Sequence, residues 1–167
     1  MTVVSTWPEP VDRVASVLRS AGIEGRIEEF RAGTPTAEAA AEAAGCALAQ
    51  IVKSLLFSLD GGGRYALVMV PGDRRADQEK VATELRAERA KPASPQEVLD
   101  LTGFEVGGVA PFPLRGVEAC LLERTLVTHD VVWVGAGTHR HMAVLAPADL
   151  AKVTRARVVD AVSETTI

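Results

Sequence analysis

The sequence predicts a single α+β domain with a mixed β-sheet. Its 167 residues suit one domain with a single sizeable core. Stretches with the pattern of strands and stretches with the periodicity of helices interleave irregularly, which favours the α+β class. No internal repeat, low-complexity tract or interdomain linker interrupts this succession. We therefore treat residues 1–167 as one domain.

The N-terminal segment predicts a lead-in, a helix and a short strand. Residues 1–10 contain prolines and have no periodicity, so we expect a loose lead-in. Apolar residues at helical spacing predict a helix over about 9–20, and Gly22 ends it. A short strand over 26–30 is expected next.

The central part of the sequence predicts a buried β-hairpin. Two apolar runs, Ile51–Leu59 and Tyr65–Val70, flank the turn sequence Asp60-Gly61-Gly62-Gly63. Glycine supplies the positive φ that such turns need, so this is a strong hairpin signal. The runs are apolar on consecutive positions, which predicts central strands covered on both faces.

The remaining elements follow from caps and periodicity. Thr34 or Thr36 caps an alanine-rich helix that ends at Gly45, and Ser94 with Glu97 forms a capping box. Further helices are predicted within 73–88 after a loop, over 94–103 and from 147, and further strands over 91–93, 118–123, 131–135, 141–145 and 157–162.

Composition and charge exclude several classes of function. No stretch is apolar enough to span a bilayer, and the N-terminal residues lack a basic region followed by an apolar one, so we expect a cytoplasmic protein with no membrane partner. A formal charge of −4 argues against general nucleic-acid affinity and against a DNA partner, although a grip on one end of an RNA remains compatible. Cys46 and Cys120 lack a CxxC spacing, so we expect small buried hydrophobes and no metal site.

One charge, Lys53, lies inside the first apolar run of the hairpin. A lysine is seldom fully buried, because desolvating an ammonium is costly unless a partner compensates. One interpretation is that the side chain extends its head to water at a sheet edge. The other is that the ammonium projects into a pocket and meets an anionic or carbonyl ligand. The residues alone leave both open.

Five blocks of sequence together resemble a known family. IVKSLLF, VMVPGDRRAD, SPQEVLDLTGFEVGGVAPF, VVWVGAG and LAPADLAKVT occur in the order and spacing of the YbaK / prolyl-tRNA synthetase-associated editing domains, over about residues 36–160. The resemblance implies a strongly curved, barrel-like mixed sheet surrounded by helices. It also implies hydrolysis of the ester that joins a wrong amino acid to the 3′ end of a tRNA.

This ester is already activated, so positioning a water and stabilising the developing charge would suffice. The sequence has no nucleophile elbow, HExxH motif or phosphate-binding glycine loop, so we expect a metal-independent hydrolase without a cofactor. The expected substrate is mischarged tRNA, and among the tRNAs we expect the one for proline. Any link to prolyl-tRNA synthetase is expected to be non-covalent. Two alternatives are a non-catalytic module that binds tRNA ends or nucleotides and docks on a synthetase, and an enzyme acting on another small acyl or nucleotide ester.

The resemblance assigns catalytic roles to Lys53 and to a glycine–proline loop. Lys53 matches the lysine of the family's pocket and is expected to contact the terminal adenosine end, either at a phosphate or at the ester carbonyl. Gly107 and Pro111 match the fixed ends of the family's GxxxP loop. Gly108, Val109 and Ala110 lie between them and would present backbone N–H groups to a carbonyl or a water. Taken alone, such a stretch is more often a structural turn.

Further substrate-binding candidates come from the same resemblance. Ser54 follows Lys53 and would point to the other face of the strand, while Phe30 and Thr36 lie where the family has pocket residues. In the late strand several relatives have an acid or a histidine, and this chain instead has His141 and Met142. Either could face the pocket, because a shift of one residue changes the face; an exposed histidine at the strand end is the alternative.

Overall fold

The computed structural model describes residues 6–166. Over this range the protein is one mixed α+β unit, as predicted. Its helices are α1 Glu9–Ala21, α2 Ala37–Ala44, α3 Gln78–Glu84, α4 Pro95–Thr102 and α5 Pro147–Thr154, with short 3-10 helices at Leu48–Gln50 and Arg124–Thr128. Its strands are β1 Gly25–Glu29, β2 Val52–Leu59, β3 Arg64–Pro71, β4 Arg74–Ala76, β5 Ala90–Pro92, β6 Ala119–Glu123, β7 Val132–Gly135, β8 His141–Leu145, β9 Arg157–Val159 and β10 Val162–Thr166.

The strands form three sheets in the described part of the protein. A five-stranded mixed sheet has the order β5-β2-β3-β6-β9, with the predicted hairpin at its centre. A three-stranded antiparallel sheet has the order β1-β8-β7, and a two-stranded one joins β10 to β4. A single bridge between Ile51 and Trp133 connects the start of β2 to β7. Across residues 6–166 the sheets do not close into a barrel, so the expected barrel-like form is corrected to three sheets.

The predicted caps explain where two of the helices begin and end. The Thr36 hydroxyl accepts a hydrogen bond from the N–H of Ala39 and starts α2. Ser94 and Glu97 form the reciprocal capping box of α4. Gly45 and Gly103 end these two helices in the left-handed conformation that glycine adopts without strain.

Two segments were predicted wrongly, and one bound is corrected. The helix predicted from about residue 9 begins at Glu9 and includes Pro10, because proline is well tolerated in the first turn of a helix. The lead-in expected over residues 1–10 therefore ends at Pro8; residues 1–5 lie outside the described range. The loop expected after Asp73 contains β4, and the single strand expected over 157–162 is two strands, β9 and β10. β4 and β10 pair with each other although they lie far apart in the sequence, so neither short segment has a local strand signal.

Within residues 6–166 the core has three apolar clusters, and these position the site. The main cluster joins one face of the five-stranded sheet to the antiparallel sheet and includes Leu67, Met69, Val134 and Ala143. A second cluster covers the opposite face of the five-stranded sheet with α3. A third packs α2 against the antiparallel sheet around Trp133. No helix in residues 6–166 is long and apolar enough to cross a membrane.

Candidate active site

A cavity of about 410 Å³ opens where β2, the start of α2 and the end of β7 diverge. The sequence-predicted residues in its wall are Thr36, Lys53, Ser54, Gly107, Val109, His141 and Met142. Lys53 and His141 are its ionisable side chains within the described range, and most of the other lining residues are apolar. The cavity therefore combines a small apolar chamber with one cation and one imidazole.

One wall of the cavity is an open strand edge. The N–H of Gly72 donates to the C=O of Ile51, which fixes Ile51, Lys53 and Leu55 as the residues that exchange hydrogen bonds with β3. The N–H and C=O of Ser54 therefore face away from β3. On that side the β5 ladder covers only residues 57–59 of β2. The backbone of Ser54 is thus directed to the cavity, where a substrate can use it.

Lys53 reaches from β2 to the first residue of β4. Its Nζ donates a hydrogen bond to the backbone carbonyl of Arg74, at 2.5 Å. An ammonium has three donors, so two remain for a ligand. Burial lowers the pKa of Lys53, and the nearby Arg75 adds to this, while the carboxylates of Glu38 and Asp73 oppose it. The ammonium is therefore partly desolvated and held by a neutral acceptor.

Ser54 contributes its backbone, not its hydroxyl, to the cavity. The Oγ atom is buried and has no hydrogen-bond partner. The residue as a whole is half-buried, so the surface that it offers belongs to its other atoms. This agrees with the expected alternation, in which Ser54 and Lys53 point to opposite faces of β2.

Two glycines allow the Gly107–Pro111 loop to pack closely against the end of β7 and against the turn between β7 and β8. A Cβ atom on Gly135 would lie 2.3 Å from the carbonyl oxygen of Val109, and one on Gly108 would lie 2.7 Å from Cα of Thr138. The N–H of Gly137 also donates to the C=O of Gly108, at 3.0 Å. The loop backbone can approach this closely only because both positions lack side chains. The result is a rigid wall opposite β2.

The residues of this loop separate into different environments. Gly107, with φ of +97°, and Val109 lie in the cavity wall. Ala110 is fully buried in the main core cluster. Pro111 lines a separate cavity behind the loop, and Gly108 lies against the β7–β8 turn. In this geometry Gly107 and Val109 can meet a ligand, while Gly108, Ala110 and Pro111 hold the loop in place.

His141 is buried at the start of β8, and its ring lies next to three other side chains. Its Nδ1 lies 2.6 Å from the hydroxyl of Thr138, and its Nε2 lies 3.9 Å from a carboxylate oxygen of Glu29. The ring of Trp7 packs against it edge-on, with centroids 5.5 Å apart. Burial lowers the pKa of His141; Glu29 opposes this, whereas Arg140 and His139 reinforce it. The ring is thus favoured in its neutral form.

The other substrate-binding candidates lie on the α2 side. Met142 is buried between α2 and Trp133, and it lies in the cavity wall together with its neighbour His141. Thr36 also lies in the wall, with its hydroxyl used as the cap of α2. Phe30 packs against Trp133 with ring centroids 6.0 Å apart and does not reach the wall. It supports the chamber from behind.

The sequence of this chain matches a family model. Residues 31–153 match the model of the aminoacyl-tRNA editing domain. This chain belongs to the aminoacyl-tRNA editing domain family. The matched range contains Lys53, the Gly107–Pro111 loop and both residues of β8 in the cavity wall.

Similar proteins share most of this editing domain. YwhH of Bacillus subtilis is 33% identical over 135 residues, which are 81% of this chain and 85% of that protein. The multifunctional Ser/Thr-tRNA deacylase ProXp-y of Escherichia coli K12 is 28% identical over 163 residues, 96% of this chain and 97% of that protein. A crystal structure of a candidate trans-editing enzyme for prolyl tRNA synthetase superposes with a TM-score of 0.86 at 33% identity, covering 95% of this chain and 99% of that one.

Three residues around the cavity were not predicted. Arg74 acts through its backbone carbonyl, which any residue has, so its identity gives no signal. Thr138 bonds to His141 from the turn, and a serine or threonine three residues before a buried histidine is a weak signal. Gly135 was assigned to a strand, and a glycine inside a strand already indicates a close backbone approach. Residues 6–166 contain no group of three or more His, Cys, Asp or Glu side chains placed to hold a metal ion.

Proposed function

We propose that this editing domain is a freestanding deacylase that acts in trans in the cytoplasm and hydrolyses the ester of mischarged tRNA. The substrate we propose is tRNA for proline that carries a small wrong amino acid. One observation carries the proposal: a single small chamber brings together the Lys53 ammonium, the backbone of Gly107 and Val109, and the open edge of β2 at Ser54. The nearly full-length match to a deacylase supports action without an attached synthetase domain.

The geometry supports hydrolysis by positioning. The activated ester enters the chamber with its carbonyl between Lys53 and the loop, and these groups stabilise the charge that develops on the carbonyl oxygen. A water held by backbone groups attacks the carbonyl carbon and the bond to the ribose oxygen breaks. A proton of that water passes to the ribose oxygen, which leaves as a hydroxyl group, and the amino acid leaves as the free acid. We propose that neither a metal nor a cofactor takes part, so chelators such as EDTA and 1,10-phenanthroline should leave the rate unchanged.

The chamber selects by size. Its walls at Met142, Ile51 and Ala40 are apolar and buried, which suits a short uncharged side chain. Each methylene in such a pocket changes the discrimination by only about 1–3 kcal/mol, so the preference among small amino acids should be graded. We propose a non-covalent association with prolyl-tRNA synthetase, through which mischarged tRNA reaches the domain.

A panel of mischarged tRNAs tests the proposal. tRNA for proline is charged in turn with alanine, serine, threonine, cysteine, 2-aminobutyrate and proline, and the loss of the ester is followed with the wild type and with Lys53→Ala. We expect hydrolysis of the smaller wrong amino acids, spared prolyl-tRNA, and a loss of at least 100-fold for Lys53→Ala with an unchanged fold. Lys91→Ala, which removes an exposed lysine from β5, is the matched control and should keep full activity.

Each outcome of the panel has a defined meaning. Wild-type turnover by Lys53→Ala would refute the assignment of Lys53. Tight binding of charged tRNA without hydrolysis of any ester in the panel would instead support the non-catalytic module. Loss of activity on chelation, with recovery on added zinc, would overturn the metal-free mechanism.

A further inference from the structure

The hydrogen-bond acceptor of the Lys53 ammonium lies in a short strand that pairs with a segment far away in the sequence. Its acceptor is the C=O of Arg74, the first residue of β4. β4 has three residues, and in the described range its sheet partner is β10 alone. Arg74 pairs there with Thr166 and Ala76 with Val162. The acceptor for Lys53 therefore lies in a strand that pairs with β10.

The side chain of Arg74 strengthens this connection. Its Nη2 donates to the backbone carbonyl of Ser163 in β10. Its Nε is buried and has no hydrogen-bond partner, so the guanidinium is turned into the protein. The next residue, Arg75, is exposed. Of these two adjacent arginines, Arg75 is the one offered to solvent, and Arg74 fastens β10 to β4.

The segment that contains β10 is anchored on its other side. Lys80 of α3 donates to the C=O of Val162 at 2.8 Å and pairs with the carboxylate of Asp160 at 3.1 Å. The N–H of Ala161 donates to the buried carboxylate of Glu123, at 3.1 Å. Val162 itself is buried in the second core cluster. The start of β10 is thus anchored to α3, to Glu123 and to the second core cluster.

We propose that Arg74 is a positioning residue for Lys53, with its side chain fastened to β10 and its carbonyl holding the ammonium in the chamber. The functional part of this inference rests on the proposed role of Lys53 in deacylation. A lysine side chain has a long flexible stem, and an ammonium without a fixed acceptor samples many rotamers. One donor held by Arg74 leaves the other two directed at the ester or a phosphate.

Nuclear magnetic resonance of the lysine ammonium groups tests the positioning directly. The Lys53 signal in 15N-labelled protein is identified by its absence from Lys53→Ala. We expect an ordered signal in the wild type and its loss in Arg74→Met, which keeps the apolar stem and removes the donor. The matched control is Arg157→Met, since Arg157 also donates to a backbone carbonyl, that of Glu84 at 2.6 Å. It should leave the Lys53 signal unchanged.

Deacylation kinetics test the consequence. We expect Arg74→Met to lower kcat/KM at least tenfold with a melting temperature close to that of the wild type, and Arg74→Lys, which restores a donor, to recover part of the loss. Arg157→Met should keep wild-type kcat/KM. If Arg74→Met does not fold, Arg74→Gln replaces it, because its amide is polar but too short to reach Ser163.

The two readouts separate the two hypotheses. A Lys53 signal that persists in Arg74→Met overturns the positioning role, whether or not any tRNA is hydrolysed. Loss of the signal with unchanged kcat/KM also overturns it. A wild type that hydrolyses no ester in the panel refutes the proposed function, and the ammonium signal alone then decides the positioning.

Discussion

Burial shifts both ionisable groups of the chamber toward their neutral forms. It lowers the pKa of Lys53 and that of His141, and in each case a carboxylate partly opposes the effect, Glu38 for the lysine and Glu29 for the histidine. The two groups differ in how they are held. Lys53 donates to a carbonyl, whereas His141 shares a hydrogen bond with a hydroxyl and packs against Trp7. Protonation of His141 and protonation of Lys53 should therefore have separate effects on the free energy of unfolding and on the rate of deacylation.

The first prediction concerns His141 and pH. Its pKa is lowered in the folded state, so below the ordinary value of about 6.5 the unfolded state binds more protons than the folded one. The free energy of unfolding should therefore fall as the pH falls from about 7 toward the lowered folded pKa. Arg140 and His139 add to the shift and Glu29 reduces it.

Denaturant unfolding between pH 5 and pH 8 measures this effect. His141→Asn removes the titrating group and should flatten the pH dependence over this window. The control is His129→Asn, a substitution at a half-buried position outside the chamber wall that should retain the wild-type slope. Equal slopes for wild type and His141→Asn would contradict the prediction.

Single residues were predictable where the residue type itself was unusual. Lys53 stood out as a charge in an apolar strand, and the structure places it in the chamber wall. The direction of the Ser54 hydroxyl also followed from strand alternation. Which loop residues reach the chamber did not follow, because Gly108, Ala110 and Pro111 are turned away by contacts with distant segments.

At the scale of elements, the open edge of β2 distinguishes two adjacent positions. The N–H of Leu55 faces β3, while the N–H of Ser54 faces the chamber. Proline removes the N–H and is tolerated in strands only at an unpaired edge. We expect Leu55→Pro to lower the melting temperature by more than about 5 °C, which corresponds to roughly 2 kcal/mol for a domain of this size. Ser54→Pro should melt close to Ser54→Ala.

The rate of deacylation then shows whether the substrate contacts the open edge of β2. Ser54→Pro removes the N–H from the chamber, whereas Ser54→Ala removes only a hydroxyl that faces the core. We expect Ser54→Pro to lose at least tenfold in kcat/KM relative to Ser54→Ala. Equal activity of the two variants would mean that the edge N–H does not contact the substrate.

The glycine contact between β7 and the loop gives the next prediction. Gly135→Ala would place a Cβ atom 2.3 Å from the carbonyl oxygen of Val109, so the loop must move. Such overpacking costs about 1–3 kcal/mol, and the displaced backbone should lower kcat/KM at least tenfold. Chemical denaturation and the mischarged-tRNA panel measure the two effects.

Gly45→Ala is the matched control for this substitution. Gly45 has φ of +70°, and a Cβ atom at this position would meet nothing within 4 Å. Alanine there costs about 1–2 kcal/mol of backbone strain without moving the loop. It should therefore lose comparable stability and keep its activity. A similar loss of activity in both variants would indicate a general effect of stability.

Elements were predictable wherever their signals were local. The hairpin turn, the capping box of α4 and the glycine that ends α2 follow from neighbouring residues. β4 and β10 are short, and they pair with each other although they lie far apart in the sequence. Neither segment therefore has a local pattern that predicts a strand. The missed prediction of β4 matters for the site, because β4 supplies the carbonyl that accepts the hydrogen bond of Lys53.

At the scale of the whole molecule, the arrangement of sheets came from family resemblance and was only partly right. A mixed α+β domain is present, but over the described residues the strands form three separate sheets. The separation between β2 and the antiparallel sheet is what opens the chamber, since the single bridge at Ile51 and Trp133 does not continue. Local patterns contain no information about where two sheets diverge.

The net charge of the molecule gives the last prediction. The protein has 22 acidic and 18 basic residues, for a formal charge of −4. A protein that grips a tRNA along its backbone neutralises many phosphates and loses affinity steeply with salt, whereas a protein that holds one end neutralises few. We propose that this domain contacts about two phosphates near the 3′ end. The logarithm of kcat/KM should then fall with the logarithm of salt concentration with a slope of about −1.4 to −1.8.

Between about 50 and 200 mM salt this slope corresponds to a loss of roughly tenfold in kcat/KM. The measurement uses the best substrate of the panel under conditions where the substrate is far below KM. Arg75→Ala serves as a probe, because Arg75 is exposed beside the acceptor of Lys53 and is placed to meet a phosphate near the chamber. It should lower kcat/KM and reduce the slope by about 0.7–0.9, the contribution of one phosphate. A loss of about 1000-fold over the same salt range would show an extended phosphate interface and contradict recognition of the tRNA end alone.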